Sequence, residues 1–446
     1  MPPSTTTTSQ SGERKVLLKK ITCPNCWHSF PPEEILWVST HTDLRGDARL
    51  DPPGSMPFAL QRFLPTRFTI TGLAIDAKGQ ACNDLACPKC HLLIPWPLLD
   101  TNCLFFSILG SPGSGKSFLL SAMTWSLRKT LSQNFGLDFG DADPQSNATL
   151  NQYEESLFLR PDPEKPVPVR DLIKKTQFTE KNLFNTVYIG NHELKLPRPF
   201  LFELKAGTRH PDFNQISPNN KVICLYDSAG ESFQAVSDDA DRLQTTAYIA
   251  RSKALFFLFD PMQDPRFYSA AKSKSGDRGT GGRIVASRQD TILRESAARI
   301  RRLLTMNQGT LLDRPLIVVI NKWDAWKEMM NVDPTDKPLA FNKAKGIHCL
   351  DMDKVNNASN QARKLLLELC PEIVSGAESF SKKVVYIPTS PLGGTPQPDP
   401  AFPDPETGNP LHTVKPSEIK SWWAEIPMLY ALSRIDPTMV TPVKRS

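Results

Sequence analysis

The chain has 446 residues, 39% of them hydrophobic and 22% charged, which is the composition of a folded protein with room for more than one domain. Its formal charge of +6, from 53 basic and 47 acidic residues, is too small to favour nucleic-acid binding. The apolar runs are strand-length, well short of the ~20 residues of a membrane span, and the Thr-rich start lacks the apolar segment of a secretory signal. We therefore expect a cytoplasmic protein without a membrane span.

Two Cys-Pro-x-Cys pairs mark the first predicted domain, residues 19–100, which follows an unstructured tail of residues 1–18. Each pair can offer two thiolates to one tetrahedral Zn²⁺. Nine cysteines, several of them paired in this way, fit metal ligands in a reducing compartment better than a disulfide framework. The prediction is a zinc-ribbon-like domain with an insertion between the pairs, and unliganded thiols are the alternative. The predicted zinc ligands are Cys23, Cys26, Cys87 and Cys90.

Other residues near the pairs have less direct roles. His28, Cys82 and His91 are substitute ligands, which we expect to lie beside the zinc site. Four aromatic residues form either a small core or a surface for a protein partner. They are Trp27, Phe30, Trp37 and Trp96. The remaining cysteines are interpreted as core thiols, namely Cys103, Cys224, Cys349 and Cys370.

A strand, a glycine-rich loop and a helix open the second predicted domain, residues 101–436, which precedes a tail of residues 437–446. The apolar run 104–109 predicts a buried strand, and the helix should begin near Lys116. Backbone N–H groups of such a loop can approach phosphate oxygens at the positive end of the helix. Lys116 should reach the β- and γ-phosphates, and the Ser117 hydroxyl should bind Mg²⁺. The predicted nucleotide-contacting residues here are Gly110, Ser111, Pro112, Gly113, Ser114, Gly115, Lys116, Ser117 and Phe118.

Residues 134–192 are polar and Pro-rich and predict an irregular segment, before strands at 199–204 and 222–226. The second strand ends at Asp227, whose carboxylate can hold Mg²⁺ directly or through water. The Gly230 N–H can then meet the γ-phosphate, which makes the following loop a switch that responds to hydrolysis. Further along we predict a helix at 238–251, a buried strand at 254–259, a mobile loop at 272–288 and a helix at 292–304.

The strand predicted at 316–320 leads into a segment that can recognise a base. The Asp324 carboxylate can accept hydrogen bonds from guanine N1–H and N2–H₂, which adenine does not offer. Lys322 can lie along the base, and Asn321 can tie this segment to the glycine-rich loop. After a helix at 356–369 and a strand at 384–387, Thr389 and Ser390 can meet guanine O6, although a plain polar loop is an equal alternative.

A Pro/Gly-rich loop at 391–416 and a closing helix at 417–433 complete the chain. The alternation of apolar strands with helices predicts an α/β fold, a mostly parallel sheet with helices on both faces. Four segments carry a resemblance: the glycine-rich loop 110–117, residues 227–230, residues 321–324 and residues 389–390. In this order they resemble the motifs of the translation-factor-related class of P-loop GTPases, over roughly residues 104–435. With the cysteine pairs, residues 86–117 and the Asp-Ser-Ala-Gly-Glu run at 227–231, the chain more specifically resembles the bacterial double-GTPase family.

The resemblance implies a P-loop NTPase fold that binds GTP or GDP with Mg²⁺. The predicted catalytic residues are Lys116, Ser117, Asp227, Gly230 and Glu231. Two positions depart from the pattern. Glu231 stands where many small GTPases place a water-orienting Gln, and the Mg²⁺-binding switch threonine has three candidates, of which Thr176 is chosen over Thr179 and Thr186. An arginine finger can come from Arg251, Arg266, the basic loop near Arg283 or a partner.

The predicted function is a GTP-hydrolysing molecular switch with a structural zinc module and a protein effector or activator. Because of Glu231, the alternative is a GTP-binding scaffold or sensor with little hydrolysis, which gates the assembly of a partner complex. A third option, an ATP-dependent motor or kinase, is disfavoured by the segment from Asn321 to Asp324.

Overall fold

The computed structural model describes residues 17–173, 184–216, 220–227, 247–275, 288–307 and 309–444, and all structural statements below concern these ranges. A seven-stranded sheet forms its centre. Its strands are β1 (Asn102–Gly110), β2 (Leu137–Asp141), β3 (Phe200–Ala206), β4 (Lys221–Asp227), β5 (Ala254–Phe259), β6 (Leu312–Ile320) and β7 (Ser381–Pro388). They lie in the order β2-β3-β4-β1-β5-β6-β7.

Five neighbouring strands of this sheet, in the spatial order β4-β1-β5-β6-β7, are parallel to one another. The strand β3 is antiparallel to both β4 and β2. All six residues of β5 are buried. Because successive side chains of a strand point to opposite faces, both faces of the sheet are covered. The predicted α/β class with a mostly parallel sheet is confirmed.

Among the described residues, six helices of eight or more residues lie between these strands in the chain, and a seventh follows the last strand. They are α1 (Lys116–Thr130), α2 (Pro144–Phe158), α3 (Pro265–Ser275), α4 (Gln289–Leu303), α5 (Met352–Leu369), α6 (Pro371–Glu378) and α7 (Ile426–Ile435). Shorter helices span Val169–Leu172, Phe213–Ile216 and Ala247–Arg251. Within the described ranges, none of the helices combines the length and the apolar character that crossing a bilayer requires.

The N-terminal part, up to Leu99, is built from very short strands. A four-stranded sheet has the order Arg62–Phe63, Leu36–Val38, Leu85–Ala86, Leu93–Ile94. Two-stranded sheets pair Ile21–Thr22 with Ser29–Phe30 and Ala74–Ile75 with Ala81–Cys82. Of the four aromatic residues considered above, Trp27, Phe30 and Trp37 are buried, while Trp96 is 45% exposed and lies edge-on to Trp37. Three of them therefore belong to the core.

Two segments predicted to be irregular carry regular structure instead. Residues 134–192 contain β2, α2 and the first strand of a hairpin, Phe184–Ile189 with His192–Pro197. The Pro-rich loop at 391–416 contains Gln397–Pro403 and Pro410–Val414, which form a sheet with Val167–Pro168 that we call the insert sheet. Residues 272–275 of the predicted mobile loop at 272–288 belong to α3, and residues 276–287 lie outside the described residues. Near the C-terminus, Pro442–Val443 joins Ile347–Asp351, which also pairs with Leu339–Asn342.

Candidate functional site

The glycine loop, residues 110–117, follows β1 and leads into α1. Gly113 and Gly115 have φ values of 74° and 92°, in the left-handed region that glycine adopts without steric cost. A Cβ on Gly110 would lie 2.7 Å from the Leu258 carbonyl oxygen on β5. Both the turn and its close approach to the neighbouring strand therefore require glycine.

Lys116 begins α1 and folds back over the loop. Its Nζ donates to the carbonyl oxygens of Gly110 at 2.9 Å and Ser111 at 2.8 Å. The ammonium group is thus held at the centre of a backbone turn at the N-terminus of a helix, where both the positive end of the helix and the Lys116 charge attract anions.

Two oxygen groups meet beside this loop. The Ser117 hydroxyl lies 3.4 Å from Asp227 Oδ2 at the end of β4. Hydroxyl and carboxylate oxygens are the ligands that Mg²⁺ prefers, so this pair fits the predicted metal position. The other residues assigned to this region, Gly230 and Glu231, and the candidate magnesium ligand Thr176, lie outside the described residues.

Asn321 joins the predicted base-recognition segment, residues 321–324, to the glycine loop. It follows β6, is buried, and its Nδ2 donates to the Ser114 carbonyl at 2.8 Å. The segment is anchored by Trp323. Its backbone N–H donates to the Thr389 carbonyl at 3.0 Å, and its ring packs edge-on against Trp423, with 5.5 Å between the ring centroids. These contacts connect residues 321–324 both to the glycine loop and to Thr389 after β7.

Both Asp324 carboxylate oxygens accept hydrogen bonds from the loop that follows β7. Oδ1 accepts from the Ser390 hydroxyl, and Oδ2 accepts from Thr395 Oγ1 at 3.0 Å. The backbone N–H groups of Thr389 and Ser390 donate to Ile320 and Trp422. Since both N–H groups are engaged within the protein, Ser390 acts on the site by orienting Asp324.

Two polar side chains that the sequence analysis missed support the glycine loop. Gln263, directly after β5, accepts from Ser111 Oγ at 3.0 Å and donates to the Pro112 carbonyl at 3.3 Å. Gln289, buried at the start of α4, accepts from Ser111 Oγ at 3.3 Å and from the Asp260 N–H at 2.9 Å. They come from two separate elements and form no sequence motif, so only the folded chain brings them together.

Asp260 lies at the end of β5 and is fully buried. Burial raises the pKa of its carboxyl, and the Lys322 ammonium, 2.6 Å from Asp260 Oδ2, opposes that rise. Lys322 itself has a φ of 56°. The pairing fixes the Lys322 side chain along the wall of the site, where its stem can cover a bound base.

Tyr153 of α2 is a further missed residue, close enough to Asp227 for the two groups to interact. Burial first, and then the Asp227 charge, raises the pKa of the Tyr153 phenol. The group therefore stays neutral at physiological pH close to Asp227.

A partly open cavity of about 740 Å³ lies between the glycine loop and residues 321–324. It is lined on one side by Gly113 and Gly115, on another by Asn321 and Asp324, and by residues of the insert sheet such as His412. Ligand pockets commonly measure about 300–1,000 Å³, so the space suits a molecule of nucleotide size. The cavity thus borders two of the segments predicted to contact phosphate and base.

A second site consists of the four cysteines of the two pairs, whose Sγ atoms all lie within 4.8 Å of one another. Cys23 and Cys90 are 3.7 Å apart, and Cys26 and Cys87 are 3.6 Å apart. Tetrahedral Zn²⁺ with Zn–S bonds of about 2.3 Å would separate its sulfurs by about 3.8 Å. The cluster can therefore hold a metal ion. Burial raises the pKa of the Cys23 thiol, so a cation that binds here displaces protons.

The two cysteine turns have the same backbone geometry. In each, the first cysteine accepts an N–H···S bond of 3.4 Å, from Asn25 or Lys89. Each second cysteine is followed by a residue in the left-handed region, Trp27 with φ 57° or His91 with φ 60°. The substitute ligands are outside the cluster: His91 bonds Asp47 at 2.8 Å, and His28 stacks on Phe30.

Comparisons with known proteins do not identify a family. No protein-family model matches the chain, and no curated protein matches its sequence. Among solved structures, the Saccharomyces cerevisiae Ski7 GTPase-like domain bound to GTP is 13% identical, with a TM-score of 0.27, over 75% of this chain and 50% of that one. A mutation variant of SsGBP is 12% identical, with a TM-score of 0.22, over 66% of this chain and 51% of that one. The chain spans about half the length of both proteins.

Gly115→Ala tests the geometry of the glycine loop. A residue with a side chain in the left-handed region costs about 1–2 kcal/mol, and the new Cβ would lie 2.6 Å from Asn321 Nδ2. We expect a loss of about 2–3 kcal/mol in the free energy of unfolding, measured with urea, as the Asn321–Ser114 bond is also strained. Gly140→Ala in β2 is the control, because its Cβ would meet nothing within 4 Å. Equal stability of the two variants would contradict the geometry.

Proposed function

We propose that the chain is a GTP-binding protein of the P-loop NTPase fold that hydrolyses GTP to GDP and phosphate and works as a nucleotide-dependent switch. The observation that carries this proposal is the Asn321–Ser114 hydrogen bond of 2.8 Å, on the wall of a cavity of about 740 Å³. It joins a segment suited to phosphates to a segment suited to guanine. One ligand that contains both groups explains the arrangement.

The proposed roles follow from the chemistry of each group. Lys116 and the glycine-loop N–H groups bind the phosphates, and their positive charge stabilises the negative charge that develops there during hydrolysis. Asp324, oriented by Ser390, accepts from guanine N1–H and N2–H₂. Lys322, held by Asp260, covers the face of the base. Gln263 stabilises the conformation of the glycine loop through its hydrogen bonds with Ser111 and Pro112.

Mg²⁺ would be held by Ser117 and Asp227 and, when bound, supplies positive charge against the phosphates. The two oxygens, 3.4 Å apart, sit where the strand that carries Asp227 and the helix that follows the glycine loop meet. Tyr153 remains neutral there and can donate a hydrogen bond to an oxygen of the site.

The test is binding and multiple-turnover phosphate release with GTP and with ATP, each with Mg²⁺. We expect GTP to bind at least about 100-fold more tightly than ATP, because adenine would leave the Asp324 acceptors unpaired. Equal affinities for the two nucleotides would refute the guanine assignment. Release of phosphate from GTP in successive turnovers would support hydrolysis.

A second candidate is a GTP-binding scaffold or sensor with negligible turnover. The presence of Glu231, where many small GTPases have the Gln that orients water, favours it. In that case GTP binds tightly and no phosphate is released without a partner. Retention of intact GTP on the purified protein would distinguish it from the switch.

We further propose that the four-cysteine cluster binds a structural Zn²⁺ and that residues 19–100 form its domain. Protein purified without chelators should contain one zinc per chain by mass spectrometry. Cys90→Ser should lose most of the zinc and unfold at a lower temperature, since three thiolates no longer complete the tetrahedron. Cys82→Ser is the control, because Cys82 is equally buried in the same part of the chain and lies outside the cluster. Wild-type protein without zinc would refute this assignment.

A further inference from the structure

The first cysteine turn, residues 23–28, contacts the strand that carries Asp227. Trp27 Nε1 donates to Tyr226 Oη at 3.0 Å, and Tyr226 Oη donates to the Pro24 carbonyl. Tyr226 is fully buried and Trp27 is 5% exposed. The hydroxyl of one buried tyrosine therefore both accepts from and donates to the turn that contains Cys23 and Cys26.

Tyr226 is the residue immediately before Asp227 in β4. The Asp227 carboxylate lies 3.4 Å from the Ser117 hydroxyl. β4 runs parallel to β1, and Asp227 is in register with Ile108 of β1. A shift of the Tyr226 ring would move the end of β4 and with it the oxygen that faces Ser117. The cysteine turn thus fixes one of the two proposed magnesium ligands through a single side chain.

The same turn also contacts the chain beyond the Gly230 segment. The Trp27 ring packs on Tyr248, which belongs to the helix Ala247–Arg251, with 6.1 Å between the ring centroids. The Tyr248 ring in turn packs on Tyr226, with 4.9 Å between the centroids. Asp227 and Ala247 are the described residues that flank residues 228–246. Trp27 therefore touches elements on both sides of the segment that contains Gly230.

The backbone at Trp27 supports a role for its side chain. Trp27 occupies the left-handed region at φ 57°, where glycine is favoured and a bulky residue is uncommon. The matching position of the second turn, His91, uses its side chain for a hydrogen bond with Asp47 instead. The two turns share one backbone geometry, and only the first directs an aromatic ring at the nucleotide-binding sheet.

We propose that the metal site and the nucleotide site are energetically coupled through Tyr226, which is a positioning residue for Asp227. The proposal rests on the proposed function, because it assigns the nucleotide and Mg²⁺ to that site. A tetrahedral cation on Cys23 and Cys26 fixes the turn, the turn fixes Tyr226 through Pro24 and Trp27, and Tyr226 fixes the end of β4. By linkage, the factor by which zinc on the cysteines strengthens binding of nucleotide and Mg²⁺ must equal the factor by which nucleotide and Mg²⁺ strengthen zinc binding.

The experiment measures zinc affinity of the full chain by competition with a chromogenic chelator, with and without saturating Mg²⁺ and a non-hydrolysable GTP analogue. In the wild type we expect the analogue to raise zinc affinity about five-fold or more, the lower range of common coupling between sites. Tyr226→Phe, which keeps the ring and removes the hydroxyl, should bring this factor close to one. The reciprocal measurement, analogue affinity with and without zinc, should give the same factor in each protein.

Tyr386→Phe is the matched control. Tyr386 is a buried tyrosine of the same sheet, on β7, whose hydroxyl bonds Glu378 rather than the cysteine turn. This variant should keep the wild-type coupling. Trp27→Phe, which retains an aromatic ring without the Nε1–H donor, gives a second route if Tyr226→Phe does not fold, and it should also reduce the coupling.

The outcomes separate this inference from the proposed function. If the wild type binds the analogue and zinc with no effect of one on the other, the coupling is refuted and GTP binding stands. If Tyr226→Phe and Trp27→Phe keep the full coupling, the route through Tyr226 is refuted. If the wild type binds no guanine nucleotide or no zinc, the proposed assignment of that site is refuted and the inference fails with it.

Discussion

Replacing Asp324 by asparagine is expected to exchange the preferred nucleotide from GTP to xanthosine triphosphate. The Asp324 carboxylate offers two acceptors, which match the N1–H and N2–H₂ donors of guanine. Asparagine offers one acceptor and one donor, which match the N1–H and the C2 carbonyl of xanthine. Ser390 and Thr395 already contact both oxygens of Asp324, so the new amide occupies a position that the loop after β7 holds in place.

The expected loss of GTP affinity in Asp324→Asn is about 100-fold or more, because one hydrogen bond to a charged group is lost and one guanine donor faces an amide donor. Titration with fluorescent GTP and competition by xanthosine triphosphate would measure both effects. Glu328→Gln is the control, since it removes an acidic charge from an exposed position four residues away. Unchanged GTP preference in Asp324→Asn would show that another residue reads the base.

The parts of the fold that could be predicted are those that depend on neighbours in sequence. The apolar run that becomes β1, the glycines that follow and the helix that begins at Lys116 form one continuous segment, and their local chemistry determines their structure. The same holds for the strands that end at Asp227 and Ile320. Each pattern lies within about fifteen residues, so no knowledge of distant contacts was needed.

The supports of the glycine loop could not be predicted, because they come from distant positions. Gln263 and Gln289 both reach Ser111, across separations of 152 and 178 residues. A glutamine after a strand or at a helix start is ordinary in sequence. Its role depends on the parallel order β1-β5-β6, which places the loops after these strands at one edge of the sheet.

The insert sheet was missed for a different physical reason. Gln397–Pro403 contains three prolines, which donate no backbone hydrogen bond and therefore indicate a loop. The segment is an edge strand that pairs on one side only, with Pro410–Val414, and its register shifts between Asp399 and Pro403. Prolines are tolerated at such an edge. This sheet supplies a wall of the cavity, so the missed element belongs to the site.

Lys116→Ala should have the largest effect on nucleotide binding. The alanine variant removes the ammonium group that lies over the glycine loop, on the carbonyl oxygens of Gly110 and Ser111. Two charge-assisted hydrogen bonds to phosphate, at about 1.5–3 kcal/mol each, correspond to a loss of roughly 10²- to 10⁴-fold in GTP affinity. Phosphate release should fall at least as much, since the same charge is needed as negative charge develops.

Lys129→Ala separates this effect from a general change of charge or of helix stability. Lys129 lies in the last turn of the same helix, α1, and is exposed, so the substitution is chemically identical and distant from the loop. Isothermal titration with GTP and Mg²⁺ should give wild-type affinity for Lys129→Ala and a large loss for Lys116→Ala, with similar unfolding temperatures. If the two variants bind GTP equally, the phosphates lie elsewhere, and the Asn321–Ser114 contact would then need another explanation than a shared nucleotide.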